Sequence, residues 1–77
     1  MGNMPTVKRY PSFVIRMYFE DHNPPHVHIV GPEFEAKMTI ANARLIKGSL
    51  PSDIESQAAA WIAENRKFLM SMWEEFK

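Results

Sequence analysis

The hydrophobic pattern of this chain changes its period once. From Phe13 to Ile40 apolar residues alternate with polar ones. The clearest run sets Phe34, Ala36, Met38 and Ile40 against Glu33, Glu35, Lys37 and Thr39. Period two is the mark of strands with one buried face. After Ser52 the pattern becomes helical: Ile54, Ala58, Trp61, Ile62, Leu69, Met72, Trp73 and Phe76 fall within about 100° of one another on a helical wheel. Gly48 to Pro51 separates the two regimes. A sheet that must bury one face and an amphipathic helix that must bury one stripe satisfy each other. The pattern therefore predicts a single α+β domain over residues 1–77: a small antiparallel meander of three to five strands, covered on one face by a long C-terminal helix.

The strand-rich part spans residues 4–48. Thr6 to Tyr10 reads as an edge strand ended by Pro11, and Phe13 to Phe19 as a stronger one. Asp21 to Pro25 reads as a turn, because Asp and Asn close turns with their side chains and proline removes donors. His26 to Val30 and Glu33 to Ile40 follow as strands, with Arg44 to Lys47 as the last. Consecutive short strands with short connections favour antiparallel pairing. The helical part spans residues 52–76. Ser52 and Glu55 have capping-box spacing. The stripe is interrupted only at Asn65, so one helix of about 24 residues is expected, with two collinear pieces broken near Asn65 as the alternative. Alternation puts Phe13, Ile15, Met17, Phe19, Val27 and Ile29 on the covered face with the Phe34–Ile40 set. It leaves Arg16, Tyr18, His26, His28, Glu35 and Lys37 on the uncovered one.

Composition narrows the function classes. A chain of 77 residues has a thin core, which oligomerisation often supplements; a homo-oligomer is one expected partner. Formal net charge is zero, giving no global pull toward nucleic acid or a membrane surface. There is no cysteine, so disulfides and thiolate metal sites are excluded, and a cytoplasmic setting is compatible. No apolar run approaches the ~20 residues that span a bilayer. Met1-Gly2 with Thr6 formally fits a myristoylation pattern, but one acyl chain without a basic cluster anchors poorly. Residues 1–3 read as an extension before a Met4-Pro5-Thr6 start. The Trp61, Phe68, Trp73 and Phe76 cluster reads chiefly as core, with any uncovered part a partner surface.

Chemistry concentrates in FEDHNPPHVHI, residues 19–29, which holds all three histidines. Imidazole titrates near neutral pH and is a common metal ligand. Three readings follow. In the first, His26 and His28, two apart in a strand, share acid and base work on RNA without a metal. Arg16 then meets the phosphate, and Tyr18 and Glu35 are auxiliary. In the second, His26 and His28 with His22 or Asp21 bind zinc or another divalent transition metal. With one loop supplying every ligand, that site is expected to be shallow. In the third, the segment only shapes a turn and its histidines are surface residues.

The string FEDHNPPHVH, with MPTV near the start and VIRMYFED before it, resembles a short bacterial family catalogued as domain of unknown function 4160, over about residues 4–75. Met17, Tyr18, Asp21, His22, Pro24, Pro25, His26 and His28 match its motif, while residues 31–50 match loosely. Some members are described as toxin components of toxin–antitoxin pairs. The resemblance thus implies a cognate antitoxin or neighbouring-gene protein as partner and a nucleic-acid target, without choosing between RNA cleavage and metal binding. The first expectation is a toxin-like cytoplasmic protein acting on RNA through His26 and His28, a metal-independent ribonuclease. The alternative is a non-enzymatic protein- or metal-binding module with the histidine loop as clamp or metal holder.

Overall fold

Five strands pair in chain order, each antiparallel to the last. The computed structural model describes residues 5–77; the extension expected at residues 1–3, and Met4, lie outside them. The strands are β1 (Thr6–Arg9), β2 (Val14–Arg16), β3 (His26–Gly31), β4 (Phe34–Thr39) and β5 (Leu45–Lys47), followed by α1 (Ser52–Glu64) and α2 (Arg66–Phe76). This is the expected α+β meander, with the helical cover in two pieces.

The central strand β3 is rich in β-branched residues, which suit a pleated, enclosed position. Its neighbours lock the register: Ile15 faces Ile29 on one side and Ala36 faces Ile29 on the other. Ile15, Met17, Val27, Ile29, Met38 and Ile40 are buried under Ile54, Ala58, Ile62, Leu69 and Trp73 of the helices. The helical set runs at spacings of four and seven residues, so one stripe seals the sheet.

Three expectations change. The second strand is shorter than Phe13 to Phe19, ending at Arg16. The chain then turns through Glu20 with a left-handed φ of 56°, so alternation loses its phase and Phe19 is exposed rather than core. Its ring rests on Phe76, centroids 4.3 Å apart. The single long helix is broken at Asn65, whose φ of −120° and ψ of 23° leave helical geometry. There the Asn65 side-chain amide donates to the Trp61 carbonyl at 2.9 Å, and its backbone N–H bonds the Trp61 and Ile62 carbonyls. Asn commonly prefers such local bonds to a helix interior. Across the break, Arg66 Nε donates to the Ile40 carbonyl at 2.8 Å, tying α2 to the end of β4. The capping box is also absent. The helix begins at Ser52 as expected, but Pro51 holds the cap position, and no side chain bonds the cap. Asp53 and Glu55 still place negative charge in the first turn, which suits the helix dipole.

Candidate metal centre

The loop between β2 and β3 folds back over the start of β3. Its Glu20 N–H donates to the Phe76 carbonyl at 2.8 Å, and the Pro25 carbonyl accepts from Ile40 N–H at 3.1 Å. These bonds hold the loop to the end of α2 and to the end of β4. Asp21 is thereby carried across the first turn of β3. Its Oδ1 accepts the His22 backbone N–H at 2.8 Å, which turns Oδ2 toward the strand.

Both imidazoles meet that oxygen. His26 Nε2 and His28 Nε2 each lie 3.0 Å from Asp21 Oδ2. The two histidines share a sheet face, as alternation predicts, but that face is not open here: His26 is 3% and His28 5% exposed. Tyr18 stacks on His28 with centroids 4.0 Å apart, and the Trp73 ring lies 5.3 Å from His26. The expected shallow site is corrected to a buried one, because two ligands come from the central strand and only the third from the loop.

Proton positions follow from the partners. The Pro24 carbonyl can only accept, so His26 Nδ1, 2.8 Å away, carries the proton it donates. His26 Nε2 is then buried without a hydrogen-bond partner, although Asp21 Oδ2 is in contact. His28 Nε2 is aligned to donate to Asp21, which leaves its Nδ1 buried and unpartnered. The nearest carboxylate to that atom is Glu35, 3.9 Å away. Burial, the largest influence, pushes His28 below the ordinary imidazole range against the opposing hydrogen bond to Asp21; the charges of His26 and Lys37 add to the lowering. Burial alone raises Asp21, but hydrogen bonds from His28 and from the His22 backbone, with the charges of His26 and His28, carry its carboxyl below the usual range.

Asp21, His26 and His28 each offer one ligand atom, all within 4.8 Å of one another. Ligand atoms bound at about 2.0–2.1 Å on a tetrahedral ion lie roughly 3.3 Å apart, so the two 3.0 Å separations suit a shared cation. His26 presents the usual arrangement of a metal-bound imidazole, with its second nitrogen fixed by a backbone carbonyl. His22 is not in this group. It is exposed, and its contribution is the backbone N–H that orients Asp21. The third position falls to Asp21, the residue weighed beside it.

The remaining candidates surround His28. Arg16 is its register partner on β2 and Lys37 its partner on β4. Glu35 and Lys37 line an open cleft of about 380 Å³ that ends on His28, together with Ala36, Lys47 and Gly48. Sequence reading did not select Lys47 or Trp73 as site neighbours. Lys47 was reachable only through the β4–β5 register, in which it faces Lys37. Among the described residues no helix is long and apolar enough to cross a membrane.

No curated protein and no solved structure matches the chain. A family model does, over residues 12–74, a span that contains all of β2 to β5 and the whole Asp21–His28 centre. The chain belongs to the family described as Domain of unknown function (DUF4160).

Proposed function

We propose that this protein is a metal-binding domain in which Asp21, His26 and His28 hold one divalent transition-metal ion of the zinc class. One observation carries the reading. His26 Nε2 is buried and lacks a hydrogen bond, while its other nitrogen is committed to Pro24 and Asp21 Oδ2 stands 3.0 Å away. In the neutral imidazole this sets a lone pair against a carboxylate oxygen in a water-poor site, which is costly unless a cation lies between them. A metal ion removes the conflict and takes the third ligand from His28 once its proton moves to Nδ1, on the Glu35 side. Three protein ligands leave a position open, the number found where zinc acts on a bound molecule rather than as a closed structural ion.

Titration of the chelator-treated protein with Zn²⁺ and Co²⁺, read by calorimetry and by cobalt absorbance, tests this. Binding of one ion per chain is expected. His26→Gln and Asp21→Asn are expected to weaken it at least 100-fold, and His22→Ala to leave it within threefold. Absence of stoichiometric binding by wild type overturns the proposal.

The second reading is a toxin-like protein acting on RNA through the His26–His28 pair, with a cognate antitoxin as partner. It draws on ring centroids 5.0 Å apart, a spacing two proton-transfer groups can use. It requires RNA cleavage to persist in excess chelator and to vanish in the His26→Ala/His28→Ala double mutant. Intact RNA with the chelated wild type refutes it.

A further inference from the structure

One row of side chains crosses four strands of the sheet. Arg16 pairs with His28, His28 with Lys37, and Lys37 with Lys47. Register partners project on the same face, so three basic side chains share the row with the histidine, Arg16 and Lys37 on either side of it and Lys47 beyond Lys37. Like charges directly opposite each other in a sheet are destabilising, yet Lys37 and Lys47 are placed that way. Among the described residues none of the three cations reaches a carboxylate within ion-pair distance. Arg16 Nε is also buried without a hydrogen-bond partner. The one acid in the cleft, Glu35, lies two residues from Lys37 on the same face and is closest to His28.

We infer that this row binds phosphate, and that the ligand is a phosphate ester whose phosphate lies between Lys37 and Lys47, on the Nδ1 side of His28. The cleft has the room, about 380 Å³, and one wall is His28 itself. Gly48 keeps the floor bare. A side chain there would meet the Glu35 carbonyl oxygen at 2.5 Å. Paired lysines attract a phosphate as point charges, and the fork of Arg16 supplies directed donors. Arg16 stands three strand spacings from Lys47, roughly 14 Å. A single phosphate therefore engages the lysine end, and a ligand with several phosphates along a strand engages the arginine as well.

The phosphate contact does not rest on the metal-binding reading, which concerns the Nε2 edge of His28. The test separates the two. In chelator, inorganic phosphate, a 5′-mononucleotide and a single-stranded RNA tetranucleotide are titrated while lysine and amide NMR shifts are followed. Saturable shifts at Lys37, Lys47 and Gly48 are expected with all three. Lys37→Gln and Lys47→Gln are each expected to weaken binding at least fivefold without lowering the melting temperature, and Glu35→Gln to strengthen it. If the tetranucleotide also engages Arg16, its affinity falls with salt at a log–log slope near −2, from about −0.7 per contact, and Arg16→Gln lowers that slope in magnitude. Binding of phosphate and mononucleotide but not tetranucleotide identifies a small phosphate ester as the source. Zinc binding without any phosphate shift overturns this inference and leaves the metal reading standing. Phosphate shifts unchanged in both lysine variants also overturn it.

Discussion

Replacing Gly48 by alanine tests whether the cleft floor is fixed by backbone contact. Gly48 has φ +79°, and a Cβ there would lie 2.5 Å from the Glu35 carbonyl oxygen and 3.1 Å from Ala36 Cα. A residue with a Cβ pays about 1–2 kcal/mol for left-handed backbone. The clashing atoms belong to β4, which is paired with β3 on one side and β5 on the other. Relief therefore means pulling β5 away, at about 1 kcal/mol per ladder hydrogen bond lost. The sum is about 2–4 kcal/mol, or a melting temperature lower by roughly 10–25 °C for a domain of this size. Gly31→Ala is the control. The three atoms nearest its Cβ would belong to the Phe34 ring, at 2.3–2.8 Å, and a side chain can swing aside. The control is expected to cost about 1 kcal/mol or less. Thermal melts followed by far-UV circular dichroism, with urea midpoints alongside, compare the two variants. A Gly48→Ala melting temperature within 5 °C of wild type, or a larger drop in Gly31→Ala, refutes the reasoning.

Three further outcomes are expected. Arg66→Ala removes the bond to the Ile40 carbonyl and should lower urea stability by about 1.5–3 kcal/mol, the range for a hydrogen bond from a charged donor; Arg66→Lys should not restore it fully. Leu69→Ala, at a fully buried position, should cost about 2–5 kcal/mol, whereas Phe68→Ala beside it, 52% exposed, should stay within about 0.5 kcal/mol. The metal-free protein should lose stability as pH falls. Burial lowers His28 in the folded state, so below about pH 6.5 the unfolded chain binds the proton that the folded chain refuses, at up to about 1.4 kcal/mol per pH unit. The lowered Asp21 carboxyl extends the loss below about pH 4. Urea midpoints from pH 7 to pH 5 in chelator measure the first part, and a flat profile contradicts it.

The sheet was legible because its sides are periodic. Ile15, Met17, Val27, Ile29, Met38 and Ile40 alternate, and each is buried where alternation puts it. The face carrying Arg16, Tyr18, His26, His28, Glu35 and Lys37 followed from the same rule. What alternation does not convey is what lies over that face. His26 and His28 are enclosed by Tyr18, Trp73 and the loop, none of which is in the ladder beside them. Phe19 departed for a related reason: beyond Arg16 there is no strand left to impose a phase. Asn65 was visible as the one polar residue on the apolar stripe, yet a stripe that keeps its phase across it does not distinguish a tolerated polar residue from a break.

The choice of Asp21 over His22 shows why the centre exceeded a local reading. Neither residue belongs to a strand, so which one faces β3 depends on how the loop is held at its ends. One hold is the Glu20 N–H on the carbonyl of Phe76, the last residue of the last helix; another is the Pro25 carbonyl on Ile40 N–H. The same helix end brings Trp73 against His26. Asp21 therefore reaches the two imidazoles only when α2 has docked on the sheet, and docking is driven by Leu69 and Trp73 meeting the apolar face of the strands. The burial that completes the core thus also closes the site. Any ion held there binds the folded chain in preference to the unfolded one, and so stabilises the contact between helix and loop on which its own ligand set depends.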